Sequence, residues 1–446
     1  MALAITLGFT CMGRAAVIRH GLDSFKGKRV LLLQGPVGPF FRRLARDLQW
    51  EGAQVCKVNF NGGDWLFYPT GAIAFRRKTE EWPGFFARLI DERKIDIVLL
   101  FGDCRPIHAA IHAIATRRGV EVGVFEEGYI RPDYITLERI GVNGYSLIPR
   151  MPIFYLNNSS QPAPEPRQVI NPFRYVVLWA ILYYFASSLL SPLFRHYRHH
   201  RPLNILEALP WLRAVWRKAY YDLTEHGVEA LLRGSYSGEF FLVPLQVHND
   251  AQVHVHSQFD SVTAFIRHVM ASFAKNAPSS TVLVIKHHPL DRGYRDYSRC
   301  IQKEAEALGI SERVLSIHDQ HLPTLLGQSR GVVVINSTVG LSAVHHDTPV
   351  KVCGSAVYDM QGLTFQGSLD EFWQAASSEK IDRKLYNRFR NFLINQTQLN
   401  GNFYTRMDIP GSYTGLVWKL PEGSINSPES SLSDLGILTD ITEYRE

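Results

Sequence analysis

Arg29-Val-Leu-Leu-Leu-Gln-Gly-Pro-Val-Gly-Pro-Phe-Phe41 carries a short apolar run straight into a Gly/Pro loop. A helical pattern follows over residues 41–52 and stops at a glycine. A strand, a glycine loop and a helix open a Rossmann-like unit. Working outward, residues 53–60 predict a second strand. Residues 95–103, Ile-Asp-Ile-Val-Leu-Leu-Phe-Gly-Asp, predict a strand buried on both faces, because the run is continuous rather than alternating. Residues 107–118 predict one helix, and residues 120–129 a further strand ending in two acids and a glycine. Such repetition means a parallel sheet with its ligand site at the C-terminal strand ends.

The pattern restarts later in the chain. Strands are predicted over 239–247, 281–286, 313–317, 331–336 and 349–354, and helices over 262–275, 299–308 and 339–346. The fold class is therefore α/β with two Rossmann-like domains. The predicted organisation is an N-terminal domain over 1–160, a linker and helical insert over 161–235, a C-terminal domain over 236–400, and a segment over 401–446. The end of that segment, from Pro421, is rich in Ser, Glu and Asp and is predicted to be disordered. No repeat of short period is present.

The insert opens with Gln161-Pro-Ala-Pro-Glu-Pro166. Residues 175–193 then run for 19 residues without a charge, followed by Arg195, Arg198 and Arg201 with His196, His199 and His200 between them. Three readings stand: a bilayer span, an interfacial helix with arginines on anionic lipid, and a buried helical hairpin.

The 446 residues leave room for two domains of about 200 residues each. Apolar residues at 46% and charged residues at 20% are an ordinary globular mixture. The net charge of +6 suits nucleotides, acidic sugars or anionic lipid, or a generic basic surface; no nucleic-acid partner is expected. Cys11, Cys56, Cys104, Cys300 and Cys353 are scattered and form no Cys-x-x-Cys pair. That pattern points to a reducing compartment and away from a zinc ribbon or disulfide frame. Residues 1–25 lack a basic n-region and a long apolar core, so no signal peptide is predicted.

Four clusters carry the chemical signal. Phe125-Glu126-Glu127-Gly128-Tyr129 ends a strand, where an acid can act as general acid or base and a glycine admits a ligand, or where a turn exposes two solvated acids. Pro244-Leu-Gln-Val-His-Asn-Asp-Ala-Gln-Val-His-Val-His256 places Asp250 as a carboxylate nucleophile or base; in an extended segment His254 and His256 would share a face, packing there or, with Asp250, holding zinc. Lys286-His287-His288-Pro289 offers cations at a strand end, for a phosphate or as a basic turn. Val334-Ile-Asn-Ser-Thr-Val-Gly-Leu-Ser-Ala343 runs from strand to helix, with Ser337 or Thr338 as the cap and a helix N-terminus open to phosphate. Asp-x-Asp and P-loop motifs are absent from the sequence, which disfavours single-domain metal-chelating transferases and P-loop ATPases.

These residues together, Glu126-Glu127-Gly128-Tyr129-Ile130-Arg131-Pro132, Pro244-Leu245-Gln246 with Asp250, Lys286-His287-His288-Pro289 and Asn336-Ser337-Thr338-Val339-Gly340, resemble the capsule polysaccharide synthesis and export family of the KpsS/LipB type. The resemblance runs from about Lys28 to Phe403. It implies a GT-B-like fold, two Rossmann-like domains flanking a cleft, at the cytoplasmic side of a bacterial inner membrane. It implies a retaining β-Kdo glycosyltransferase that moves Kdo (3-deoxy-manno-octulosonic acid) from CMP-Kdo to phosphatidylglycerol or its lyso form, with a capsule assembly or export complex as partner. The motifs are also similar to those of bacterial sialyltransferases. On this resemblance Lys286, His287, His288, Pro289, Asn336, Ser337, Thr338 and Gly340 bind the nucleotide, with either histidine facing the phosphate. Gly128, Arg131 and Gln246 bind acceptor or sugar. Glu127 is the candidate general acid/base with Glu126 as the alternative, and Asp250 the candidate nucleophile of a double displacement. No cofactor and no metal are expected. A non-catalytic export partner binding capsule glycan at the membrane, and an epimerase or phosphatase of similar shape, are the competing classes.

Overall fold

The computed structural model describes residues 21–158, 161–197 and 208–418. Arg198, His199, His200, Arg201, Cys11 and the acidic end of the chain lie outside the described residues.

The first half builds β1 (Arg29–Leu32), β2 (Gln54–Asn59), β3 (Ala72–Ala74), β4 (Ile97–Phe101), β5 (Glu121–Glu127) and β6 (Tyr134–Arg139). The second half builds β7 (Phe240–Pro244), β8 (Val282–Lys286), β9 (Val314–Ile317), β10 (Gly331–Val334) and β11 (Val350–Val352), and β12 (Gln398–Asn400) closes the series. Among the described residues these form two sheets, ordered β12-β6-β5-β4-β1-β2-β3 and β11-β10-β7-β8-β9. The second sheet is parallel throughout. The first is parallel from β3 to β5, and antiparallel at β5–β6 and β6–β12. Both parallel parts have the order in which the winding reverses beside the first strand, at β1/β4 and at β7/β10. Such reversal points open a crevice at the strand ends, where ligands of doubly wound folds sit.

Continuous apolar strands explain the layering. Val30, Leu31, Leu32, Val98 and Leu99 are fully buried, as are Phe240–Val243. Residues on alternate faces feed separate clusters, so helices cover both sides of each sheet. Residues 107–118 form two short helices, Pro106–Ala109 and His112–Arg117, rather than the one predicted. The buried His108 hydrogen bonds through Nδ1 to Gly102 O at 2.6 Å, which ties the first of them back to the end of β4.

The insert helix Phe173–Leu189 is neither a bilayer span nor a buried hairpin. No helix among the described residues is long and apolar enough to cross a membrane. One face, Tyr183, Ala186 and Ser187, packs on the helix Gly62–Phe67. The approach is close: a Cβ on Gly62 would lie 2.3 Å from Ala186 O, and one on Gly63 2.5 Å from the Tyr183 ring. Tyr183 Oη meets Asn61, Asp64 and Gln34 beneath it. The opposite face leaves Phe173, Leu178, Ile181, Phe185 and Leu189 exposed.

The chain exchanges elements between its halves. Phe154 and Tyr155, in the helix Pro152–Asn157, join the core of the second domain beside Leu385 and Phe389. The helix Arg383–Thr397 then leads back to β12, which pairs antiparallel with β6. Beyond it, Phe403, Leu416 and Trp418 enter the core of the first domain. The buried Asp47 accepts hydrogen bonds from the backbone N–H groups of Tyr413 and Thr414 and from the Ser412 and Thr414 hydroxyls. Residues 398–418, divided by the sequence boundary at 400, thus complete the first domain. Burying one phenylalanine such as Phe403 is worth roughly 1.5–3 kcal/mol, so this return strengthens the sheet it closes.

Candidate active site

Both reversal points open onto one cleft of about 1710 Å³. Gln34, Gly102, Arg105, Glu126, Glu127, Arg131 and Tyr404 form its first-domain wall. Gln246, Asp250, Lys286, His288, Asn336, Ser337 and Thr338 form the wall opposite.

On the first wall, β5 delivers both acids to its C-terminal end. Glu126 accepts the Glu127 N–H at 3.0 Å. Burial raises its carboxyl to about 7, and the charges of Glu127 and Asp103 push the same way against that hydrogen bond and Arg105. Glu127 instead accepts the Tyr404 hydroxyl at 2.9 Å, and the phenol is held well above its ordinary range by burial and by that carboxylate. Arg105 is braced on Gln34 Oε1 at 2.9 Å and over the Phe101 ring. The Cys104 thiol is pushed up by burial and by Asp103, Glu126 and Asp250, so it stays protonated. Both Glu126, from the first domain, and Asp250, from the second, thus act electrostatically on the same thiol.

On the second wall, Ser337 caps the helix Thr338–His345, its Oγ accepting the Val339 N–H at 3.2 Å. The remaining free N–H groups of that helix end and its positive dipole face the cleft. His288 resolves the doubled histidine. Its Nδ1 accepts the Leu290 N–H at 3.1 Å, which fixes the neutral tautomer with Nε2–H as donor. Burial, Arg131 and Lys286 hold the ring down at about 4, so it is neutral at physiological pH. Lys286 is buried, with Nζ donating to His318 O at 2.6 Å, and burial lowers its pKa.

Several expectations require correction. His287 borders the cleft, but its ring turns back against Tyr297 and His318 and meets Ser316 Oγ at 2.9 Å, because successive residues after a strand face opposite ways. Gly128 does not line the cleft: its missing Cβ would lie 2.1 Å from Tyr134 O, so the glycine serves the β5–β6 hairpin. Gly340 makes room for Tyr358, whose hydroxyl would sit 2.2 Å from a Cβ there and bonds to Ser337 O. His254 and His256 do not share an extended face. Asp250 caps the helix Ala251–Val255 through the Gln252 N–H, leaving His254 exposed and His256 packed on Tyr145.

The remaining predicted residues are brought together. Gln246 Nε2 donates to Asp250 Oδ2 at 3.1 Å, and its Oε1 accepts the Asn336 N–H. Asn336 Nδ2 reaches Gln252 O at 3.0 Å. Pro289 begins a single helical turn at the rim, and Arg131 Nε is held by Gly128 O at 3.3 Å, its charge felt at His288 across the cleft. Sequence reasoning missed Gln34, Cys104, Arg105 and Tyr404. The first three follow the ends of β1 and β4, so the strand-end rule was a usable signal for them; Tyr404 had none.

The family described as capsule polysaccharide biosynthesis protein matches residues 96–404. The chain is 42% identical over 381 residues to the capsule polysaccharide export protein KpsS of Escherichia coli, covering 85% of this chain and 97% of that one. It is 39% identical over 412 residues to the capsule polysaccharide modification protein LipB of Neisseria meningitidis serogroup B, covering 90% and 98%. A solved structure with a similar trace is Thermosulfurimonas dismutans KpsC, a beta Kdo 2,7 transferase, at 15% identity and a TM-score of 0.40, covering 86% of this chain and 94% of that one.

Proposed function

The chain belongs to the capsule polysaccharide biosynthesis family, and from that premise we propose that it is a glycosyltransferase moving Kdo from CMP-Kdo to phosphatidylglycerol or its lyso form. The observation that carries this reading is the pairing across the cleft. A carboxyl poised near 7 on one wall faces a histidine N–H and a capped helix N-terminus on the other. The second wall suits the cytidylate phosphate: His288 Nε2–H, the helix-end N–H groups and the Ser337–Thr338 hydroxyls stabilise charge as it develops on the leaving group. Glu126 takes the proton of the attacking acceptor hydroxyl. Its raised carboxyl makes it the stronger candidate than Glu127, whose oxygen is held by Tyr404. Retention by double displacement requires a nucleophile on the opposite face, for which Asp250 is the candidate; a front-face displacement would leave it a lesser role. Each of its oxygens accepts one hydrogen bond and retains a lone pair.

The test is incubation of the purified chain with CMP-Kdo and a fluorescent phosphatidylglycerol, without added metal. A lipid product heavier by one Kdo supports the reading. Absence of donor binding would overturn it in favour of a non-catalytic export partner. His288→Ala removes one hydrogen bond to a charged group, about 1.5–3 kcal/mol, so the donor KM should rise roughly ten- to hundredfold in steady-state assays.

A lipid acceptor brings the insert to a membrane surface. The exposed face of the helix Phe173–Leu189, and Leu212, Val215, Trp216 and Leu223 of the helix Ala208–Thr224, are apolar and flanked by exposed Arg174, Arg213 and Lys218. The double variant Phe185→Asp/Leu189→Asp should lose about tenfold or more in co-sedimentation with anionic vesicles while keeping its melting temperature. Unchanged sedimentation would remove this surface from the proposal.

A further inference from the structure

Behind the second wall, the ends of β8 and β9 hold a group that the transfer reaction does not use. A nitrogen from each of His287 and His318 and a carboxylate oxygen of Asp296 lie within 4.8 Å of one another. Both imidazoles are more than nine-tenths buried. His318 Nδ1 is 2.5 Å from Glu225 Oε1, an arrangement that places its proton on Nδ1 and leaves Nε2 as a bare lone pair. His287 Nε2 meets Ser316 Oγ at 2.9 Å; with that hydroxyl accepting and donating onward to Ser298 Oγ, Nδ1 is bare as well. Neither His287 Nδ1 nor His318 Nε2 has a hydrogen-bond partner among the described residues. Two buried imidazole nitrogens without partners, in a group that also holds a carboxylate, form an arrangement that a cation satisfies.

We propose that His287, His318 and Asp296 bind a divalent transition-metal ion, zinc by the chemistry of the donors, as a structural clamp on the second domain. Two imidazoles and a carboxylate, with water in the fourth position, match the ligand preferences of zinc. The carboxylate of Glu225 behind His318 is the outer-shell partner that orients a metal-bound imidazole. Glu225 and Asp296 together supply two negative charges against the ion. Arg217 and Tyr221 both donate to Asp296 Oδ2 at 3.3 Å, and the Ser298 N–H reaches Oδ1 at 3.0 Å, which leaves a lone pair on Oδ1 for the ion. Bonds of about 2.0–2.1 Å at a tetrahedral angle put donors roughly 3.3 Å apart, so side-chain shifts of about 1 Å close the site. The Tyr221 ring stacked on His318 at 3.5 Å limits such movement to sliding within the imidazole plane.

The clamp would join β8 to β9 and to the start of the helix Ser298–Ala307, directly between Lys286 and His288. The proposed ligands lie behind the cleft wall, and the test reads metal binding rather than transfer, so its outcome is independent of that reading. The full chain, freed of any metal-binding tag, is dialysed against metal-free buffer and titrated with zinc against a chromophoric chelator, with cobalt(II) as a spectroscopic stand-in. The expected result is one ion per chain and the intense visible absorption of four-coordinate cobalt. Glu225→Gln should weaken zinc binding about 10–100-fold. Asp296→Asn, at a side chain 32% exposed and of unchanged shape, should weaken it at least tenfold. His254→Ala, on an exposed histidine, should change nothing. Wild-type protein that takes up no zinc at micromolar concentration, or Asp296→Asn and Glu225→Gln variants that bind as the wild type does, would overturn the proposal even if the histidine variants fail to fold.

Discussion

Glu126→Gln should lower kcat/KM for sugar transfer by about 10²–10⁴-fold, the usual range for a lost general acid–base group. The pH dependence separates this role from a merely structural one. The ionised carboxylate accepts the proton, and burial places its pKa at about 7. Wild-type kcat/KM should therefore climb about tenfold per pH unit below 7 and level off above it, whereas the residual rate of the variant should be flat across that limb. Stability moves the other way. A carboxyl raised from 4.5 to about 7 in the folded chain contributes stability that is fully present below pH 4.5 and is lost as pH rises toward 7. At pH 8 the variant should be more stable than the wild type, by on the order of 3 kcal/mol at most, with the gap closing in acid. A variant that is slow, flat in pH and no more stable at pH 8 would refute the assignment.

Gly128→Ala should be the most damaging methyl addition near the cleft. The new Cβ would sit 2.1 Å from a backbone oxygen, Tyr134 O, which has no rotamer by which to retreat. Overpacking of this kind costs about 1–3 kcal/mol and occasionally more, and here the strain falls on the hairpin that carries Glu126, Glu127 and Arg131. The apparent Tm should drop by several degrees, and activity should fall further than the Tm does because the two acids shift with the hairpin. Gly327→Ala is the matched control. It lies in the helix Leu322–Gln328 with nothing within 4 Å of its Cβ position, and should be silent or slightly stabilising. Equal melting of the two variants would contradict the packing role of Gly128.

Local chemistry explains what was legible in the sequence. Phe240–Val243 and Val282–Ile285 announce buried parallel strands by unbroken apolar runs, and Ser337 or Thr338 announces a helix cap, which the structure gives to Ser337, because capping is settled within three residues. The doubled histidine was ambiguous because the loop after β8 decides which ring faces the cleft. Gly128 reads from sequence as an opening for a ligand and Gly340, on the resemblance, as a nucleotide contact, yet the atoms they make room for are Tyr134 O and the Tyr358 hydroxyl, supplied by other segments. His254 and His256 looked paired while the segment was taken as extended, and the Asp250 cap turned it helical. Tyr404 and the Glu225–His318 pair depend on folds of chain 277 and 93 residues apart, which no local pattern encodes.

The return of β12 to the first sheet bears on how the protein is made. A ribosome releases the chain from its N-terminus, and domains generally fold as units in that order. Here the first domain to emerge is the last to be finished. Until residues 398–418 are synthesised, β6 is an open sheet edge, and the core around Phe40 and Phe125 lacks Phe403 and Trp418. The second domain, whose β7–β11 are contiguous in sequence, can close its sheet before then. A nascent chain stalled just before Gln398 would thus expose an unpaired strand template for chaperones or for aggregation, and release of the final segment converts two half-dependent domains into one finished molecule.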